Sequence, residues 1–257
     1  CLSGCSVGLK DAYSLKERIP SIEASFAAEE EAAKGFASDL CVISDEGSFN
    51  PEDVTSQAGA LFDLTDREVL YSKDAFEKLY PASITKVMTA LIAIKYGNLE
   101  DQVTVTEDAV ITETGATLCG IQPGDTLTLE QLLYGLMLPS GNDAGAAIAI
   151  HMSGSIDAFA DKMNEEAKRL GATDTHFMNP HGLHDEDHYT TAYDLYLIFN
   201  EALKYPEFRT VTGSTAYTAN YTNKAGESIS KTWRGGNWYL TGEHETPEGL
   251  TVFSGKT

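Results

Sequence analysis

The sequence predicts an α+β fold, and three observations carry that expectation. Two short apolar runs with a polar turn between them stand near residue 60. A long middle section spaces its apolar residues at helix period, with caps and stops. From Phe208 onward the pattern turns to Thr, Tyr, Trp and Val with Gly breaks, which suits strands. Hairpin, helices, then strands implies a sheet fed by both ends of the chain with helices packed on it. A chain of 257 residues with 42% hydrophobic side chains is long and apolar enough to bury a sizeable core.

Each element follows from local chemistry. Gly59 to Leu64 and Glu68 to Tyr71 flank Thr65-Asp66-Arg67 and read as a β-hairpin. Ser83 is the expected N-cap of a helix over Ile84 to Tyr96, stopped by Gly97. Apolar residues fall nearly all round that cylinder, which predicts a buried helix. Thr128-Leu129-Glu130-Gln131 is a capping box, Leu132, Leu133, Leu136 and Met137 form the stripe behind it, and Pro139 ends the helix. Asp143 to His151 is Ala-rich and reads as helical. Ser155 caps a further helix that runs to Leu170 and Gly171, and Thr191 to Leu203 forms another. No internal repeat is visible. The domain expectation is a sheet lobe from 37–82 and 204–257, and a mostly helical lobe from 83–203.

Composition excludes several function classes. Lys and Arg number 18 against 39 acidic side chains, a formal charge of −21. Phosphate backbones and anionic lipid surfaces call for the opposite balance, so no nucleic-acid partner is expected. No apolar run reaches the roughly 18 residues a membrane-spanning helix needs. Four cysteines are too few for a disulfide framework and lack zinc-finger spacing. Cys41 and Cys119 are available to pair in an oxidising compartment, but spacing does not place them within bonding distance.

Both ends read as cut. The chain starts Cys1-Leu2-Ser3-Gly4-Cys5, and Leu-Ser-Gly-Cys resembles the lipobox of bacterial lipoproteins. On that reading Cys5 carries the lipid, and residues 1–36 comprise a signal-peptide remnant, the lipobox and an acidic tether. The expected location is extracytoplasmic, with the membrane reached through the lipid anchor alone.

The residues that offer chemistry lie in three places. Ser83-Ile84-Thr85-Lys86 puts a lysine one helical turn after a serine, within reach of its hydroxyl. A serine needs a neighbouring base to act as a nucleophile, and a lysine serves if burial or a second cation lowers its pKa. Lys86 sits in an otherwise apolar helix, where an unpaired ammonium is costly. Ser140-Gly141-Asn142 follows Pro139 in a loop, 57 positions after Ser83. Lys256-Thr257 closes the chain, 116 positions after Ser140. Taken singly, these segments read more readily as an N-cap with a surface lysine, a plain turn and a strand end.

Their order and flanks resemble the active-site serine penicillin-recognising enzymes, and specifically the D-alanyl-D-alanine carboxypeptidases, or low-molecular-mass penicillin-binding proteins. The matching segments are Pro81 to Lys86, Leu138 to Ala144, Asn179 to Leu183, Thr191 to Leu195 and Ser254 to Thr257. The resemblance implies an antiparallel sheet flanked by helices, joined to an all-helical lobe with the site between them. It implies removal of the terminal D-Ala from peptidoglycan stem pentapeptides ending in D-Ala-D-Ala, and acylation by β-lactams. Ser83 would be the nucleophile, Lys86 its base, Ser140 a proton relay, and Asn142 a partner for the substrate's peptide carbonyl. Lys256 and Thr257 would hold the terminal carboxylate. No cofactor or metal is implied. The family's third motif is Lys-Thr-Gly, and here the Gly is missing. A second oxyanion-hole donor is therefore expected past Thr257, and losing one such donor costs about 100- to 1000-fold in rate.

Other readings stay open. A class A β-lactamase would need a Glu-x-x-Leu-Asn segment, which is absent between Asn142 and Lys256; Asn164-Glu165-Glu166 lies in an expected helix. A non-hydrolytic penicillin- or peptidoglycan-binding lipoprotein is the second. The run His181 to His188 offers metal-ligand types within an acidic loop. Trp233, Trp238 and Tyr239 are expected in core or strand packing, with a place at the cleft mouth as the alternative.

Overall fold

The computed structural model describes residues 39–43 and 54–256. Cys5 and its lipobox, the tether that follows and Thr257 lie outside the described residues.

Helix α1 (Lys86–Tyr96) is the centre of the molecule, with every residue from Lys86 to Ala93 buried. It packs against α2 (Leu129–Met137), α3 (Asn142–Ser153), α4 (Ile156–Arg169), α5 (Ala192–Ala202) and α6 (Pro206–Gly213). Surrounding helices remove water from all sides, which is why an all-apolar helix is stable there. Leu91 and Ile92 are fully buried, each contributing about 1.5–3 kcal/mol of burial free energy. The helix ends at Gly97, where a side chain would collide with the Ala93 carbonyl and Leu129.

The caps expected at Thr128 and Ser155 form, and Thr191 adds a third. The Thr128 hydroxyl accepts from Gln131 N while the Gln131 side chain accepts from Thr128 N, closing the box at α2. Ser155 accepts from Ala158 N at α4, and Thr191 from Asp194 N at α5. Each removes an orphan donor of a first helical turn. None of these helices is long and apolar enough to cross a membrane among the described residues.

Two sheets appear where one was expected. Strands β1 (Gly59–Asp63) and β2 (Glu68–Lys73) form a two-stranded hairpin. It docks on α5 by stacking Phe62 on Tyr196, with ring centroids 4.0 Å apart. The second sheet has the order β3 (Gln102–Thr104), β4 (Thr126–Thr128), β5 (Ala216–Thr222), β6 (Ser228–Arg234), antiparallel throughout. Its outer partners therefore come from the middle of the chain, not from the hairpin. Alternation along β5 and β6 turns Ala219, Tyr221 and Trp233 into the core.

Two further expectations are corrected. Residues after Phe208 are not all extended. Pro206 opens α6 at its first turn, where its missing N–H costs nothing, and Phe208, Val211 and Thr212 are buried from that helix. A short helix α7 (Trp238–Thr241) follows β6. Ser83 does not cap a helix either. It lies inside a 3-10 turn, Ala82–Thr85, that feeds α1 directly, and its hydroxyl has other partners.

Candidate active site

The turn that carries Ser83 is held from behind. Ala82 takes φ 47°, a left-handed conformation uncommon for a residue with a Cβ. Gly182, at φ 85°, lies directly against the Ala82 carbonyl, and any side chain at 182 would run into it. Thr85 Oγ1 meets His188 Nε2 at 2.8 Å, and His188 Nδ1 accepts from Met178 N at 3.0 Å. With Nδ1 accepting, Nε2 carries the proton and donates to Thr85.

Lys86 is wholly buried, at 0% exposure. Its Nζ donates to Ser83 Oγ at 3.1 Å and to the His181 carbonyl at 2.7 Å. Ser140 Oγ donates to Ser83 Oγ at 3.0 Å, and Lys256 Nζ donates to Ser140 Oγ at 2.9 Å. A continuous chain of four side chains thus runs Lys256, Ser140, Ser83, Lys86. Ser140 reaches it from a loop between α2 and α3, with φ 63°. Its neighbours hold that turn: Gly141 N donates to Gly135 O and Asn142 N to Thr117 O. Asn142 is buried at the start of α3. Among the described residues no hydrogen bond joins its side chain to the chain of four.

Burial sets the electrostatics. The Lys86 ammonium is driven down to about 7, first by burial and then by the Lys256 charge, with Asp143 opposing. Burial also lowers Lys256 to about 8. His181 falls to about 3, by burial and then by the charge of Lys86, and His188 to about 4, chiefly by burial. Both imidazoles are neutral near pH 7, and the backbone carbonyl of His181, not its ring, serves Lys86. A neutral lysine beside a serine hydroxyl is a base placed on a nucleophile.

Sequence reasoning gave no role to the Asn179 to Leu183 segment. Its work is done by backbone: Pro180 O accepts from Thr89, His181 O from Lys86, and Gly182 makes room for Ala82. Asn179 Oδ1 shapes the turn by accepting from His181 N and Gly182 N. Asp143 was also missed as more than part of a matching segment. A lone carboxylate opening an otherwise apolar, Ala-rich helix was the available signal.

Other residues resolve into structural roles. Glu166 is buried, which alone would raise its pKa, but bonds from Arg169, Tyr96 and Lys95 hold it at about 2. It is committed to that network, not to a water at Ser83. Among the described residues no three His, Cys, Asp or Glu side chains gather as metal ligands do. Cys41 and Cys119 are both free and buried. Trp233 is core, with its Nε1 donating to Cys119 O at 2.9 Å. Trp238 and Tyr239 are exposed on α7, against the expectation of packing.

Residues 45–247 match the D-alanyl-D-alanine carboxypeptidase family, peptidase S11. The carboxypeptidase DacF of Bacillus subtilis is 38% identical over 164 residues, 62% of this chain and 42% of that protein. DacB2 of Mycobacterium tuberculosis is 37% identical over 185 residues, 71% of this chain and 62% of that one. The chain thus spans less than two thirds of either relative's length. The crystal structure of the Streptomyces K15 DD-transpeptidase superposes with a TM-score of 0.71 at 32% identity, covering 80% of this chain and 83% of that one. The fold is therefore that of the penicillin-recognising DD-peptidases, and the chain belongs to the D-alanyl-D-alanine carboxypeptidase family of serine peptidases.

Proposed function

We propose that the protein is a serine-type D-Ala-D-Ala carboxypeptidase that removes the terminal D-Ala from peptidoglycan stem pentapeptides through an acyl-enzyme on Ser83. One observation carries the reading: a wholly buried lysine, in no ion pair with a carboxylate among the described residues, donates to the hydroxyl of a serine one turn away. Near neutral pH a large fraction of Lys86 is deprotonated and its lone pair accepts the Ser83 proton. Ser83 Oγ then bonds to the carbonyl carbon of the penultimate D-Ala. As the peptide C–N bond breaks, Ser140 passes a proton from Lys86 to the departing amine. Water hydrolyses the ester and returns Ser83 to its starting state. Asn142 binds the peptide carbonyl. Lys256 and Thr257 bind the terminal carboxylate, a charge-assisted contact that selects for a free C-terminus. β-Lactams, which present a reactive amide beside a carboxylate, acylate Ser83 by the same route. The chemistry uses no metal or cofactor. The protein works outside the cytoplasm, attached to the membrane by lipid on Cys5, a reading supported by the Leu2-Ser3-Gly4-Cys5 segment.

The test is the intact mass of the protein recovered from bacterial membranes, before and after benzylpenicillin, beside Ser83→Ala. The expected result is a lipid-sized mass lost in Cys5→Ala, and a lasting penicilloyl adduct absent from Ser83→Ala. Rapid drug hydrolysis without an adduct would point to a β-lactamase. Neither adduct nor hydrolysis in folded protein would leave a binding lipoprotein.

A further inference from the structure

Asp143 lies one residue past Asn142, in the first turn of α3, and is buried. A buried carboxylate is costly unless its lone pairs are occupied. Here the hydrogen-bond partners are backbone N–H groups. Oδ1 accepts from Cys119 N at 2.8 Å and from Ala144 N at 3.0 Å. Oδ2 accepts from Gly120 N at 2.7 Å and from Ile121 N at 3.2 Å. Consecutive N–H groups of residues 119–121 therefore converge on one carboxylate, an anion nest filled by the chain itself. Gly120, at φ 79°, gives the backbone the turn this needs.

Carbonyls of the same segment face other partners. Cys119 O accepts from Trp233 Nε1 and Gly120 O from Lys231 Nζ, both on β6. Thr117 O accepts from Asn142 N. Segment 117–121 is thus a spacer between β6 and the Ser140–Asn142 turn, and the Asp143 carboxylate clamps it.

We infer that Asp143 is a positioning residue for acylation of Ser83: by clamping segment 117–121 it fixes Ser140 and Asn142 relative to Ser83 and to the sheet. The inference rests on the reading of Ser83 as the nucleophile. Lys86 is faced by the Ser83 hydroxyl from the 3-10 turn and by the His181 carbonyl, and it feels the charges of Lys256 from the last segment and of Asp143 from α3, while the His181 imidazole is neutral. His188, behind Thr85, is neutral, and burial keeps the Cys119 thiol protonated. Of these groups Lys256 weakens the hold of Lys86 on its proton, and Asp143 strengthens it.

The test is Asp143→Asn in the full chain. Whichever way the amide turns, its NH2 confronts a pair of N–H groups that a carboxylate oxygen received. The second-order rate of acylation by benzylpenicillin is measured from about pH 5 to 10. The expected loss is about 10- to 100-fold on the plateau, the scale of a misplaced reacting group. The acid limb moves to lower pH, because Lys86 without its negative neighbour releases its proton more readily. A residue that served folding alone would slow the reaction and leave the limb in place. An unchanged plateau or an unmoved limb overturns the inference. Should Asp143→Asn not fold, Gly120→Ala tilts the nest while keeping the charge, since its Cβ meets Lys231 Nζ in a left-handed conformation. It should cost about 3- to 10-fold with the limb unmoved, and an unchanged rate overturns the inference. Failure of the wild type to be acylated would sink the Ser83 reading; a reactive wild type beside an indifferent Asp143→Asn sinks only this one.

Discussion

The two walls of the candidate site are built on different terms. On the helical side, Ser83, Lys86 and Ser140 hang from segments locked into the core. Lys86 opens a buried helix, and both Ala82 and Ser140 hold left-handed backbone angles of 47° and 63°. Such angles cost about 1–2 kcal/mol each and persist only where the surroundings enforce them. On the opposite side Lys256 ends a stretch in which Leu250 is 63% and Phe253 81% exposed. That stretch is tied by Gly255 N to Thr212 O at 3.3 Å and by the close approach of Gly255 to Asn237. The contrast separates two tasks. Bond-making groups need fixed distances, and the core supplies them. A carboxylate anchor needs charge in the right region, which a locally held segment can give.

The comparison breaks first at Gly182. Alanine there would need the left-handed φ of 85° and would press its Cβ into the Ala82 carbonyl. We expect Gly182→Ala to lose about 2–4 kcal/mol of stability, the sum of a left-handed alanine and overpacking. Acylation should fall by about 100-fold, because the turn under Ser83 and the carbonyl that holds Lys86 shift together. Urea unfolding and the benzylpenicillin acylation rate measure both. A variant with normal rate and stability would mean the helical wall is not held from behind.

Much of this wall was legible in the sequence, and the rest was hidden for physical reasons. Thr128 and Ser155 were readable because a cap is a local contact within one turn, and each hydroxyl does accept the expected N–H. Ser83 looked the same from sequence, yet its hydroxyl is bonded by Lys86 and Ser140, and the second lies 57 positions away. The matching segments named Ser83, Lys86, Ser140 and Lys256 without their geometry, and the fold brings those four into one hydrogen-bonded chain. The roles of His181 and Gly182 are carried by a carbonyl and by a missing Cβ, neither of which a side-chain pattern displays. Strands β3 and β4 are three residues each, too short for a period. Helix α6 carried its signal in Pro206, outweighed by the Thr- and Tyr-rich text that follows.

Lys256→Ala tests the second wall and is expected to act less strongly, by about 10- to 100-fold on kcat/KM for a D-Ala-D-Ala peptide, the scale of a lost charge-assisted bond to the substrate carboxylate. Its pH signature has a definite sign. Lys256 is a like charge that lowers the pKa of Lys86. Removing it raises that pKa above about 7, so the acid limb of the acylation profile moves to higher pH. That is the opposite of the shift expected for Asp143→Asn. Limbs that move the same way in both variants would show that Lys86 is not the group read by the profile.

The smallest effect is expected at Trp238, and it sharpens the contrast because Trp233 is its near neighbour in sequence. Trp233 is 3% exposed, stands opposite Tyr217 in the β5–β6 ladder and donates to Cys119 O. Truncating such a side chain costs about 3–5 kcal/mol. Trp238 is 55% exposed, with the His244 ring 4.9 Å away. Trp238→Ala should change stability by no more than about 0.5 kcal/mol, as exposed positions do. Denaturant midpoints of the two variants, read side by side, decide the point. If Trp238→Ala approached the cost of Trp233→Ala, α7 would belong to the packed core, and the wall that carries Lys256 would be as rigidly built as the one that carries Ser83.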